Sequence, residues 1–217
     1  MHCLLSACSA DAAFQQWAED WEAMPQSSYP AMAYEEIPTA ADLQNAIHQY
    51  QTLAQAFRRI HTERLSAENQ QLWRRYAVAL DEALVARTKL VNDPAAFSIG
   101  PSLVPLLTSD SLPAAERLRL LEQCFDHTFA YYETAKQLLQ RPDPDRTLLA
   151  IQQQLFVLRL LRPSIAEALE QLDEATLQSM EQKKQRARLV VKDYLAFCES
   201  LHFEHSDTTL VRELMNR

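Results

Sequence analysis

The chain has 217 residues and a formal net charge of −8 at pH 7, which argues against nucleic-acid binding, because phosphate contacts require a basic face. At roughly 150 residues per domain, this length suits one domain that buries enough surface to need no disulfide bonds. One glycine stands against ten prolines, and a lone glycine cannot serve the turns of a sheet or a phosphate-binding loop. The composition therefore predicts an all-α protein.

The first predicted helix covers residues 9–24. Phe14, Trp17 and Trp21 recur on one apolar stripe at helical spacing. Such a stripe is typical of a helix packed into a core, and the alternative is that Trp17 and Trp21 form a surface for a partner. Both interpretations stay open from the sequence alone.

Prolines and capping residues divide the chain that follows. A loop is predicted near residues 25–38, and helices are predicted to begin after Thr39 and Ser66, since both residues are good N-caps. The third helix ends before Pro94, because the residue before a proline avoids the α region. Residues 94–112 are the least regular stretch of the sequence, and the alternative is that the segment SLVPLL within it forms a short buried turn of helix.

The C-terminal half predicts long helices. One covers residues 113–140, and the next begins at Asp143 and Pro144 and is apolar on much of its circumference, which places it in the centre of the core. After Pro163 a long segment carries a seam of residues spaced by three and four. The members of this seam are Leu177, Met180, Lys184, Ala187, Val191, Tyr194, Cys198 and Leu201.

These elements predict an irregular bundle of six to eight helices without a sheet. A single α-helical domain is expected over residues 10–204. Residues 205–217 are expected to be a tail or the truncated start of a further helix, and residues 1–9 the remnant of a lipoprotein leader.

Residues suited to catalysis or metal binding are scarce. None of the six histidines lies in an H-E-x-x-H pattern, which would place two imidazoles and a carboxylate on one helix. His202 and His205 are three residues apart and better suit a hydrated helix end, and His127 suits the polar flank of a core helix. Residues 181–188 are basic and suit a solvated helix face, with a patch for anionic lipid as the alternative. No catalytic residue, metal ligand or cofactor is predicted.

Four cysteines are irregularly spaced. None forms a C-x-x-C pair, so a zinc ribbon and a thioredoxin-like motif are not supported. Cys124 and Cys198 lie on apolar stripes and are expected to pack as small hydrophobic residues, with a disulfide bond between them as the alternative. Cys8 closes the stretch Leu5-Ser6-Ala7-Cys8, a pattern at which bacteria cleave lipoprotein precursors and attach lipid to the cysteine. Only seven residues precede Cys8, so the alternative is a chance match at the start of a cytoplasmic protein.

The order of these segments resembles a known family. "AAFQQWAEDWEAM", "LSAENQQLWRRYAVALDEAL", "PDPDRTLLAIQQQLFVLRLL" and "KDYLAFCESL" are similar to the N-terminal helical half of the domain-of-unknown-function 885 family, over residues 11–204. The resemblance implies an all-helical bacterial protein related to exported lipoproteins that look like zinc metallopeptidases. The H-E-x-x-H helix of that family belongs to its second half, so no zinc ligand is carried over to this sequence.

The sequence thus predicts a non-catalytic helical domain of a bacterial envelope lipoprotein, tethered through Cys8 and acting as an interaction or substrate-shaping module for a protein or peptide. Two alternatives stay open. One is a metal-dependent hydrolase completed by a partner chain or a missing C-terminal half. The other is a cytoplasmic helical protein that binds a partner.

Overall fold

The computed structural model describes the backbone of residues 2–24, 36–108, 112–168 and 172–215, with side chains for 10–24, 36–108, 112–167 and 172–203. These residues contain eight α-helices and no strand, which confirms the all-α prediction. The helices are α1 (His2–Glu22), α2 (Ala40–Arg58), α3 (Ala67–Asn92), α4 (Gly100–Thr108), α5 (Ala114–Leu138), α6 (Pro144–Leu160), α7 (Ile165–Ala168) and α8 (Glu174–Met215). Short 3₁₀ turns occupy Thr62–Arg64 and Pro94–Ala96.

Two predicted helix starts are confirmed by their capping bonds. The backbone N–H of Asn69 donates to Ser66 Oγ at 3.3 Å at the start of α3. The Asp143 carboxylate accepts from the backbone N–H groups of Asp145 and Arg146 at 2.9 and 3.1 Å at the start of α6. These side-chain oxygens satisfy N–H groups that have no partner within the helix.

Three helices differ from the predicted boundaries. Helix α1 begins at His2, seven residues earlier than predicted, and the backbone of α8 continues to Met215 through the predicted break before residues 205–217. Residues 94–112, predicted to be the least regular stretch, contain the nine-residue helix α4, which is longer than the short buried turn expected at SLVPLL. Pro101 lies in the first turn of α4, where a missing N–H costs no helical hydrogen bond.

Packing divides the chain into two compact units. The first consists of Met1–Ser28 and Ala41–Thr88, and the second of Tyr29–Ala40 and Lys89–Arg217. The sequence predicts a single domain over residues 10–204, and this remains a prediction.

An aromatic cluster forms the core of the first unit. The Trp17 ring lies 4.5 Å from the ring of Phe57, 5.4 Å from Tyr76 and 5.7 Å from Trp21, measured between centroids. Its Nε1–H donates to the backbone oxygen of Leu53 at 2.9 Å, so the polar atom of this buried ring has a partner. The cluster therefore joins α1, α2 and α3 through both ring packing and a hydrogen bond.

Asp11 links α1 to the start of α3. Its Oδ1 accepts from the backbone N–H of Ser66 at 2.9 Å and from Asn69 Nδ2 at 2.8 Å. The hydrogen bonds from Asn69 and Ser66 favour the ionised carboxylate and hold the pKa of Asp11 below its ordinary value of 3.8.

Replacing Asp11 with alanine is expected to lower the stability of the protein at neutral pH, because both donors lose a charged acceptor. A pKa that is lower in the folded state adds stability above the unfolded value, and this stability is lost as pH falls through the folded pKa. The difference between the wild type and Asp11→Ala should therefore stay constant near pH 7 and shrink below about pH 4, measured by urea unfolding. Asp81→Ala, at an exposed position of α3, is the control. An equal effect of both substitutions would contradict the assigned role of Asp11.

A buried polar network organises the second unit. The Tyr132 hydroxyl donates to Gln154 Oε1 at 2.6 Å and accepts from the backbone N–H of Ile99 at 3.3 Å. Gln154 Nε2 donates to the backbone oxygen of Phe97 at 3.0 Å. The Tyr194 hydroxyl donates to a carbonyl of the adjacent 3₁₀ turn at 3.0 Å. Side chains of α5, α6 and α8 thus supply hydrogen-bond partners for the buried backbone groups of the irregular segment between α3 and α4.

Helix α6 packs against α4 and α8, but it buries one narrow face rather than the large apolar residues that led to the prediction of a central helix. Its buried residues are Thr147, Ala150, Gln154 and Val157. Its exposed large apolar residues are Leu148, Leu155 and Phe156. Gly100 explains part of this arrangement, because a Cβ atom at that position would lie only 3.3 Å from Val157 Cγ2. The absence of a side chain at Gly100 therefore leaves room for Val157 on the buried face of α6.

Candidate functional site

The residues predicted for a lipid anchor and a partner surface lie in α1. The side chain of Cys8 is outside the described side chains, so lipidation stays a prediction. Trp17 and Trp21 are 4% and 8% exposed. The structure thus places both rings in the core, one of the two alternatives that the sequence left open.

Trp17 nevertheless contributes to the floor of a surface groove between α1 and α2. Two adjoining cavities of about 740 and 360 Å³ share Ala13, Trp17 and Ala56. We define the α1–α2 groove by their lining residues. These are Ala10, Ala13, Gln16, Trp17, Asp20, Ala23, Met24, His48, Gln49, Thr52, Leu53, Ala56, Arg59, Ile60, His61 and Arg64.

The two ends of the α1–α2 groove differ in charge. Asp20 lies in the larger cavity, where its carboxylate accepts a hydrogen bond from Gln16 Nε2 at 3.1 Å. Arg59 and Arg64 line the smaller cavity. The groove thus carries an acidic group at one end and two cations at the other.

A second concave site lies in the second unit, and we call it the Lys184 cavity. It has a volume of about 370 Å³. Its lining residues are Leu107, Thr108, Phe125, Arg159, Leu160, Leu161, Pro163, Ser164, Ile165, Glu167 and Lys184. Lys184 is only 3% exposed, an uncommon position for a lysine unless its charge is paired.

Hydrogen bonds fix the Lys184 ammonium group. Nζ donates to the backbone oxygen of Pro163 at 2.7 Å and to Glu181 Oε2 at 2.6 Å. Glu181 Oε1 accepts from Ser164 Oγ at 3.0 Å and from the backbone N–H of Ile165 at 2.6 Å. Burial raises the pKa of Glu181, but the hydrogen bonds from Lys184, Ile165 and Ser164 outweigh it, so the pKa lies below its ordinary value. The Glu181 carboxyl group is therefore ionised at neutral pH.

The sequence carries one signal for this site, in the seam of its last long helix. The seam of the last helix places Lys184 between Met180 and Ala187, which are 2% and 1% exposed. A lysine on an otherwise apolar stripe requires a buried acceptor. The acceptors, however, come partly from Pro163, whose proximity only the folded chain shows.

The basic run at residues 181–188 does not form one solvated face. Lys183 pairs with Glu122 at 3.0 Å and Asp126 at 2.5 Å, and Lys184 is buried with Glu181. These ion pairs remove two of its four cations from a patch for anionic lipid.

Cysteine and histidine chemistry is limited among the described side chains. Cys124 and Cys198 are buried and free, and burial raises the pKa of each thiol to about 12. Both therefore pack as small hydrophobic residues, as predicted.

Within the described residues no group of three or more His, Cys, Asp or Glu side chains is placed to hold a metal ion. No described helix is long and apolar enough to cross a membrane. His205 lies outside the described side chains.

Comparison with known proteins gives a fold likeness. No protein-family model matches the chain, and no curated protein matches it. A solved structure from Shewanella oneidensis, described as that of a candidate lipoprotein of unknown function, is similar with a TM-score of 0.61 and 16% sequence identity. The likeness covers 93% of this chain and 38% of that chain. This chain thus has the fold of one part of a longer protein.

Proposed function

We propose that this chain is a non-catalytic helical domain of a bacterial envelope lipoprotein, and that it holds a partner peptide in the α1–α2 groove. The groove is the observation that carries the peptide-binding part of the proposal. A channel between two helices, with an apolar floor and polar ends, is a common way to hold a helical segment.

Two independent observations support the proposed location in the cell envelope. Leu5-Ser6-Ala7-Cys8 has the pattern of a lipoprotein cleavage site, and the similar Shewanella oneidensis structure is described as that of a candidate lipoprotein. As a further part of the proposal, which rests on the order of the helical segments in the sequence, the chain corresponds to the N-terminal helical half of the domain-of-unknown-function 885 family. Genomic DNA downstream of the reading frame tests this part, and we expect it to encode an H-E-x-x-H helix.

Metabolic labelling tests the lipid anchor. Cells that carry the gene with its upstream DNA are grown with radioactive palmitate, and the protein is isolated. We expect label in the wild type and in Cys3→Ser, but none in Cys8→Ser. Equal labelling of the two variants would remove Cys8 as the anchor.

The shape and charge of the α1–α2 groove define its occupant. Ala13 and Ala56 are exposed alanines on opposite walls, and side chains this small let a third helix approach closely. Arg59 and Arg64 at one end attract acidic side chains and the negative end of a helix dipole. The occupant is therefore an amphipathic helix whose acidic C-terminal turn lies beside these arginines and whose basic N-terminal turn lies beside Asp20.

A synthetic peptide pair tests this assignment. One fluorescein-labelled helical peptide carries lysines in its first turn and glutamates in its last turn, and the other has these charges exchanged. Fluorescence anisotropy should show at least about tenfold tighter binding of the first peptide to the protein, a difference of about 1.4 kcal/mol.

Filling the groove should abolish this preference. Ala56→Leu places a larger side chain in both cavities and should weaken binding of the first peptide about tenfold or more. Ala86→Leu, at an exposed position of α3 outside the groove, is the matched control and should bind like the wild type. Equal affinities of the two variants, or of the two peptides, would contradict the proposal.

A further inference from the structure

The Lys184 cavity combines apolar walls with a buried cation. Phe125, Leu161 and Ile165 are 4%, 1% and 1% exposed and form its deep surface together with Leu107. A volume of about 370 Å³ is at the small end of the range of about 300–1,000 Å³ that is typical of small-molecule sites. The size and the apolar walls suit the body of a small hydrophobic molecule.

The ammonium group of Lys184 has donor capacity to spare. It carries three N–H bonds, and the described residues accept two of them through Pro163 and Glu181. Both oxygens of Glu181 are engaged, one by Lys184 and the other by Ser164 and Ile165. The third N–H of Lys184 therefore has no acceptor among the described residues, and Lys184 lines the cavity.

A second cation lines the same cavity. Arg159 is exposed and makes no ion pair with the described residues. The nearby Glu167 carboxylate accepts from the backbone N–H of Ser164 at 3.3 Å, so it is engaged in capping the start of α7. Of the charged lining residues, two are cations and one is an anion that already has a partner.

We propose that the Lys184 cavity binds a small molecule that carries a carboxylate on an apolar body. The carboxylate accepts hydrogen bonds from Lys184 Nζ and from the Arg159 guanidinium group, and the apolar body packs against Phe125, Leu161 and Ile165. A fatty acid and the C-terminal residue of a hydrophobic peptide share this chemistry. The site belongs to the second unit and does not depend on peptide binding in the α1–α2 groove.

Titration with defined probes tests the carboxylate requirement. The purified protein is titrated with octanoate, N-acetyl-leucine and 1-octanol, and binding is followed by NMR of the protein methyl groups and of the lysine ¹⁵Nζ resonances. Octanoate or N-acetyl-leucine should bind at least about tenfold more tightly than 1-octanol, because a charge-assisted hydrogen bond is stronger than a neutral one. The better carboxylate identifies the source as a fatty acid or as a peptide C-terminus. The resonances that shift should belong to Leu107, Leu161, Ile165 and Lys184.

Two variants keep the proposal falsifiable. Lys184→Met retains the apolar stem and should weaken carboxylate binding about tenfold or more, but it leaves Glu181 without its cation and risks the fold. Arg159→Gln changes an exposed residue and should weaken binding about three- to tenfold. Arg162→Gln is the matched control, since it removes the same charge from an exposed position that does not line the cavity.

Each outcome of these experiments either supports or overturns carboxylate binding in the Lys184 cavity. A preference for a carboxylate that falls in Arg159→Gln and stays in Arg162→Gln supports the site. The absence of methyl shifts in the cavity at 10 mM probe, equal binding of 1-octanol, or equal effects of the two arginine variants would overturn it.

Discussion

Gln154→Leu is expected to lower the free energy of unfolding by about 2–6 kcal/mol. Leucine has a similar size, so the cost comes from hydrogen bonds rather than from volume. The buried Tyr132 hydroxyl loses its acceptor and the backbone oxygen of Phe97 loses its donor, and each unsatisfied buried group costs about 1–3 kcal/mol. Urea unfolding followed by circular dichroism measures the change.

A control and a second substitution make this result specific. Gln152→Leu, two residues earlier at an exposed position of α6, should change stability by no more than about 0.5 kcal/mol. Tyr132→Phe removes the other partner, so the double variant with Gln154→Leu should lose less stability than the sum of the single variants, by about 0.5–3 kcal/mol. Additive effects would show that the two side chains do not act together.

Trp17→Ala is expected to cost about 3–5 kcal/mol, the range measured for truncation of large buried aromatic side chains. The substitution removes a ring that packs between Phe57, Tyr76 and Trp21, and it leaves the backbone oxygen of Leu53 without its donor. Chemical unfolding followed by near-ultraviolet circular dichroism, which reports on aromatic packing, is the measurement.

The same experiment separates the two interpretations of the aromatic stripe in α1. If Trp17 is a core residue, Trp17→Ala should greatly lower the free energy of unfolding. If Trp17 is an exposed anchor for a partner, the substitution should hardly change it. Phe129→Ala is the control, because Phe129 is 63% exposed and its truncation should change stability by no more than about 0.5 kcal/mol. A similarly small effect of Trp17→Ala would contradict its position in the core.

Helix α6 shows what an apolar sequence pattern predicts and what it leaves undetermined. Its sequence is apolar on most sides, so hydrophobicity predicts a helix but gives no direction for its buried face. The direction is decided by neighbours distant in sequence. The buried backbone oxygen of Phe97 needs a donor, which Gln154 supplies. Val157 lies beside Gly100, where an added Cβ atom would be only 3.3 Å from Val157 Cγ2.

The candidate sites show a similar division. The seam of α8 already places Lys184 on an inward face, but the cavity beside it depends on Phe125, Leu161 and Ile165, which belong to other elements. The α1–α2 groove has no sequence motif, because its lining residues come from separate segments of the chain and share no common spacing.

The sequence alone determined the features that depend on short-range interactions. The scarcity of glycine, the prolines and the capping residues Ser66 and Asp143 determined an all-α chain and several of its helix starts, since caps and breaks act within a few residues. Only the tertiary structure decided that Trp17 is enclosed, that α6 buries its polar Gln154, and that Lys184 borders a cavity. Burial and hydrogen-bond partners at such positions depend on which distant segments pack together, and a helical period does not carry that information.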